Sequence, residues 1–163
     1  MIEVEKENQK YRTIWVIKGT NIIHRDDGPA VESLNGEKRW YQHGVIHRDG
    51  GPAIEYANGD REWYINGKLH RVDGPAVEWK SGIKKWLLDG RLHRVSGPAF
   101  IGPGVEEWRI DGKLHREDGP AIIRDEMIFW YLQGNPYTKE EWLEALPDDK
   151  CLKAIYSEYF IGG

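Results

Sequence analysis

Cysteine is almost missing from this chain: Cys151 is the only one in 163 residues. That excludes an internal disulfide and suits a reducing compartment. Long apolar runs are missing as well. No stretch approaches the ~18 consecutive apolar residues of a spanning helix. The opening MIEVEKENQKYR has neither the apolar centre nor the small-residue cleavage site of a signal peptide. Charge of one sign is absent too: 23 Lys and Arg face 27 Asp and Glu, for a net of −4. This is neither the basic footprint of a nucleic-acid binder nor an acidic tail. The apolar fraction is a modest 39%. These absences predict a soluble, cytoplasmic protein with no membrane span.

What the chain does have is aromatic residues and a period. It holds eight Trp and eight Tyr. The heptapeptide His-Arg-x-x-Gly-Pro-Ala begins at His24, His47, His70, His93 and His115, in steps of 23, 23, 23 and 22 residues. A period in this range means that each copy is one supersecondary unit that must stack on its neighbours to bury an apolar face. Trp40, Trp63, Trp86, Trp108 and Trp130 follow the successive His by 15 or 16 residues, and Trp15 extends the series upstream. Gly44, Gly67, Gly90, Gly112 and Gly134 each lie four residues beyond their Trp.

Within a unit, Pro75–Lys80 alternates apolar and polar, Ser81-Gly82 turns, Ile83–Leu88 returns, and Asp89-Gly90 turns again. Asn35-Gly36 and Asn58-Gly59 at the first turn predict type I′ hairpins. No helical period competes. The expected fold is mainly β: a single-layer antiparallel ribbon of β-hairpin repeats with about 10–12 short strands ~4.8 Å apart, which over that length must twist into a curved, elongated ribbon. The expected boundaries are an N-terminal cap segment over 1–14, repeats over 15–136 and a C-terminal helical extension over 137–163. In the extension Thr138-Lys-Glu-Glu141 is a capping box ahead of Trp142, Leu143 and Leu146. Beyond Pro147 a second helix is predicted, with Leu152, Ile155, Tyr156 and Tyr159 on one stripe. The extension covers the open edge of the last repeat or serves as a dimerisation or docking element.

The ~23-residue period, the turn glycines and the His-Arg-x-Asp-Gly-Pro-Ala form resemble the MORN-repeat variant family, in a subtype found in small proteins of bacteria and their tailed phages. The eukaryotic Tyr-x-Gly-x-Trp opening is not matched. The resemblance covers about residues 15 to 136. It implies stacked hairpins forming a ribbon-like groove, and an accessory protein, in the phage case an inhibitor of a host or defence protein.

The repeated motif argues against catalysis, because catalytic sets are singular. The acid before each Gly is kept at Asp27, Asp73 and Asp118 but replaced by Gly50 and Ser96. Repetition with drift reads as structural hardware, in which His satisfies a turn backbone group and Arg pairs with a carboxylate. Metal binding is disfavoured, since ligands must lie ~2 Å from one ion while equivalent His recur every ~10 Å. No cofactor is expected. An anion row of Arg25, Arg48, Arg71, Arg94 and Arg116 is the alternative, with nearby Asp weakening it for nucleic acid. Trp79 departs from its column, and the fourth repeat replaces Asn-Gly by Ile101-Gly-Pro-Gly104. The candidate binding residues are Trp79, Arg71, Arg94, Tyr64, Arg91, Trp142 and Tyr156. The expected function is non-enzymatic docking of a protein partner along the repeat surface. The alternatives are sequestration of a small anionic, nucleotide-like ligand and homodimerisation through the C-terminal helices.

Overall fold

The computed structural model describes residues 2–147. The predicted second helix and Tyr156 lie outside the described residues. An N-terminal hairpin of β1 (Val4–Gln9) and β2 (Arg12–Ile17) leads into the repeats. The first copy supplies β3 (Val31–Ser33), β4 (Lys38–Arg39), β5 (Tyr41–Gln42) and β6 (Val45–Ile46). The second supplies β7 (Ile54–Glu55), β8 (Arg61–Glu62), β9 (Tyr64–Ile65) and β10 (Lys68–Leu69). The third adds β11 (Val77–Glu78), β12 (Lys84–Lys85), β13 (Leu87–Leu88) and β14 (Arg91–Leu92). The fourth adds β15 (Phe100–Gly102), β16 (Val105–Glu107), β17 (Arg109–Ile110) and β18 (Lys113–Leu114). The series closes with β19 (Ile122–Arg124), β20 (Met127–Leu132), β21 (Asn135–Tyr137) and helix α1 (Lys139–Ala145).

The ribbon of antiparallel hairpins with a C-terminal helix is therefore what the chain builds, with more strands than the predicted 10–12. One sheet holds 13 strands, from β1 and β2 through the first pair of each repeat to β21. The second pair of each of the first four repeats forms a separate two-stranded hairpin. The returning strand is not continuous, and Trp is where it breaks. The Trp40 N–H donates across to the Ala53 carbonyl, while the Trp40 carbonyl accepts from the His47 N–H. Trp63, Trp86 and Trp108 do the same. A residue whose two backbone groups serve different partners turns a corner, so in the first four copies the returning strand becomes two short ones, while β20 runs on through Trp130.

The core lies between the two rows. Val77 of the large sheet packs with Ala76 and Leu87, and against Leu69 and Leu92 of the small hairpins. The Ala of every motif is completely buried: Ala30, Ala53, Ala76, Ala99 and Ala121. Across the large sheet, one face carries Val31, Arg39, Ile54, Glu62, Val77, Lys85 and Phe100 in directly paired register. The opposite face carries Glu32, Lys38, Glu55, Arg61, Glu78 and Lys84 in the same manner, a row of alternating charge. Opposite charges directly across a ladder stabilise it by ~0.2–1 kcal/mol per pair.

The two kinds of turn differ. In the second turn both central residues have positive φ, as at Asn66 (49°) and Gly67 (78°), the type I′ pattern. The Asn-Gly turns do not follow the type I′ expectation. At the first, the Gly36 N–H donates to the Ser33 carbonyl and only Gly36, not Asn35, has positive φ. This is a three-residue loop in which glycine forms the bulge. The Asn35 side chain accepts from the Glu37 N–H and so holds its own backbone out of the left-handed region. In the fourth repeat the missing residue comes out of this loop. Gly102 pairs with Val105, leaving only Pro103 and Gly104 to turn.

At the C-terminal end Thr138 caps α1. It accepts from the Glu141 N–H while Glu141 accepts from the Thr138 N–H, the predicted capping box. Trp142 and Leu146 are buried against Trp130 of the last repeat, with the two Trp ring centroids 4.6 Å apart. Among the described residues no helix is long and apolar enough to cross a membrane.

Candidate functional site

The His, the Arg and the glycine of the heptapeptide each do the same physical job in all five copies. The His Nδ1 accepts the backbone N–H of the residue before the second-turn glycine of its own copy, from His43, Asn66, Asp89, Asp111 and Gln133, at 3.1–3.2 Å. This is the turn role expected of His. Nδ1 of His47, His70 and His93 also lies 3.1 Å from the side-chain oxygen of that same residue, Asn66, Asp89 or Asp111. In three copies Nε2 faces a carboxylate two residues on: Asp26, Asp49 and Glu117.

The Arg guanidinium sits over a Trp ring. The guanidinium carbons of Arg25, Arg48, Arg71, Arg94 and Arg116 stand 3.7–4.2 Å from the ring centroids of Trp15, Trp40, Trp63, Trp86 and Trp108. Nη1 of each donates to the Pro carbonyl four residues later at 2.9–3.3 Å. Glycine at the fifth position is a matter of space. A Cβ on Gly28, Gly51, Gly74, Gly97 or Gly119 would sit 2.8–3.1 Å from the guanidinium carbon of its own Arg. The Arg-on-Trp stack went unread in the sequence although it has a signal: Arg follows Trp by eight residues in four of the five copies.

Carboxylates neutralise most of this row. Asp27, Asp73 and Asp118 accept from Nε of Arg25, Arg71 and Arg116. Those bonds, reinforced by the Arg charge, hold the Asp27 and Asp73 carboxyls below the usual carboxylate range. Glu32, Glu55 and Glu78 on the charged face add ion pairs to Arg25, Arg48 and Arg71. Arg94 is different. Ser96 stands where the Asp would be and Ile101 where the Glu would be, and among the described residues Arg94 has no carboxylate partner. Val72 and Val95, each 83% exposed, occupy the tip position that is acidic in the other three copies.

Open clefts recur between consecutive loops. One of about 600 Å³ lies between the first two loops, with Trp40 among its lining residues. The next, of about 330 Å³, includes Trp63, Arg71 and Val72. A third, of about 400 Å³, brings together Arg71, Val72, Trp86, Arg94 and Val95. Among the described residues no three His, Cys, Asp or Glu side chains converge as a metal site requires.

The other candidate residues lie elsewhere. Tyr64 and Trp79 meet on the opposite face, where the buried Glu62 accepts from the Tyr64 hydroxyl at 3.0 Å and from Trp79 Nε1 at 3.3 Å. Trp79 also packs against the cluster of Ala76, Val77 and Leu87 and carries Lys85 Nζ 5.1 Å above its ring. Arg91 is exposed on β14, on the row of small hairpins. Trp142 is fully buried and donates from Nε1 to the Arg116 carbonyl, so its ring faces the chain's own core. Burial, then the Glu62 charge and hydrogen bond, push the Tyr64 hydroxyl well above its ordinary value. A raised pKa favours the neutral phenol in the folded state, so this contribution is complete below the unfolded value near 10 and fades only at higher pH. Tyr64 is therefore expected to resist ionisation in an ultraviolet alkaline titration. Glu62→Gln, which removes the negative charge, should move it back toward the ordinary range. Unchanged titration in that variant would show that Glu62 plays no part.

No family model matches the chain, and no curated protein matches it at a significant level.

Proposed function

We propose that the protein is a non-enzymatic, MORN-like interaction module, active in the cytoplasm, that docks a protein partner along the face bearing the His-Arg loops. The observation that carries this reading is the pair Val72 and Val95. Two neighbouring loop tips expose apolar side chains where equivalent tips are acidic, and a cleft of about 400 Å³ opens between them. A single exposed Val is ordinary, but two at one repeat position on adjacent units form a surface. Equivalent positions recur every ~10 Å and an extended strand rises ~3.3 Å per residue, so one loop spacing matches about three residues of an extended partner. The charge pattern favours protein over a polyanion, because four of the five stacked guanidiniums already hold a carboxylate of this chain.

The double variant Val72→Asp/Val95→Asp tests the reading. Both substitutions copy Asp49 and leave folding unchanged. Affinity-purified wild type should retain a specific protein that the variant binds at least about tenfold more weakly, since ~1.4 kcal/mol corresponds to that factor. A partner retained equally by both proteins would remove this face from consideration.

A further inference from the structure

The charged face of the large sheet does not run the whole length of the ribbon. The row Glu32, Lys38, Glu55, Arg61, Glu78 and Lys84 continues, pair by pair, as Ile101, Glu106, Ile123 and Ile128. Where the first three repeats place a Glu beside their stacked Arg, the fourth and fifth place Ile101 and Ile123. Ile128, next in line, is 46% exposed. Here the row turns mainly apolar, with Glu106 its remaining charge, beside the one Trp-stacked Arg that lacks a carboxylate among the described residues. Arg94 is nevertheless held like its counterparts, 3.9 Å above Trp86 and donating to the Pro98 carbonyl at 3.2 Å. Ser96 stands at the position whose Asp accepts from Nε in three other copies. Glu106, across the strand from Ile101, is not paired with Arg94.

We propose that Arg94, Ile101 and Ile123 form an anchor for an extended protein segment carrying one Asp or Glu carboxylate flanked by apolar side chains. The inference rests on the docking function proposed above and names the chemistry of that partner. Charge complementarity commits the occupant. A guanidinium already immobilised by stacking presents a fork to a carboxylate at little further conformational cost, and it is fully compensated everywhere else in the row. The apolar flank comes from the two Ile that replace Glu, which would repel an acidic segment if they had stayed Glu. An acidic, apolar segment is thus admitted at the fourth repeat and rejected at the first three.

The test exploits the repeats themselves. Ser96→Asp/Ile101→Glu rebuilds at Arg94 the pairing seen at Arg71, so the fold tolerates it and the chain's own carboxylates fill the fork. The probe is an array of hexapeptides with one Glu among Val, Leu and Ile, beside identical peptides carrying Gln. Wild type should retain Glu peptides over Gln peptides by about tenfold or more, the scale of a lost charge pair. Ser96→Asp/Ile101→Glu and Arg94→Gln should each abolish the difference. Equal retention of Glu and Gln peptides, or a preference that survives Ser96→Asp/Ile101→Glu, overturns the anchor. If such peptides are still lost in Val72→Asp/Val95→Asp, the docking function stands without it. Retention of no peptide by any protein overturns both. Sedimentation of wild type as a dimer that Ile101→Glu dissociates would identify the occupant as a second copy and overturn the proposal.

Discussion

Trp142→Ala is expected to lower the unfolding free energy by about 3–5 kcal/mol, the range for emptying a fully buried Trp site. The side chain has no exposure, packs on Trp130 and Leu146, and donates to the Arg116 carbonyl at 3.0 Å. Removing it leaves that carbonyl without its indole donor, so cavity and hydrogen-bond costs act together. Trp142→Phe separates them: most of the ring packing stays, and about 1–2 kcal/mol should be lost with the donor. Urea unfolding of the two variants measures both. The position matters as much as the size. Stacked repeats communicate only with neighbours, and terminal units depend on a cap. Hydrogen exchange should therefore accelerate first in β19, β20 and β21, while β7 and β8 keep their protection. A loss below about 1 kcal/mol in Trp142→Ala, or uniform deprotection, would show that α1 is not the element that seals this end.

Much of this was legible from residue spacing. The period, the Gly positions and the Asn-Gly or Asp-Gly pairs defined the hairpins, and the capping box over Thr138–Glu141 started a helix where expected. The His reading followed from repetition alone, and each His does accept a turn N–H. What escaped were relations that need two repeats at once. Whether a strand continues through Trp86 depends on where its N–H and carbonyl find partners, here Ala99 and His93. The motif glycines Gly28, Gly51 and Gly74 do not adopt positive φ; they give room to a guanidinium, which no spacing announces. Trp79, an off-pattern aromatic that invites a contact role, bonds to Glu62, a buried acid with no signature of its own. The site shows in the same way, as breaks in columns. Val72, Val95, Ser96, Ile101 and Ile123 are unremarkable residues singly, and become a surface once the register aligns them.

The interior of the ribbon should respond to mutation differently from its end. Trp63→Ala removes the ring under Arg71, the same ring that packs against Ala76 and Val77. Because Trp63 is only partly buried, the cost falls near the low end of the Trp range, about 3 kcal/mol. Arg71 then loses its stacking partner but keeps Asp73, Glu78 and the Pro75 carbonyl. A double-mutant cycle with Arg71→Met isolates the stack, and a coupling of about 0.5–1 kcal/mol is expected for a cation over an accessible ring. A coupling of zero would mean that Arg71 is placed by its oxygen partners alone and that Trp63 matters only as core. The distribution of the damage is the sharper reading. Trp63 is a corner, donating to Ala76 in the next repeat and accepting from His70 at the start of it, so its loss severs units two and three. Exchange should rise on both sides of that joint while the N-terminal hairpin and α1 stay protected. An equal rise at both ends would mean the ribbon unfolds as one cooperative body, with nearest-neighbour coupling strong enough to hide its repeats.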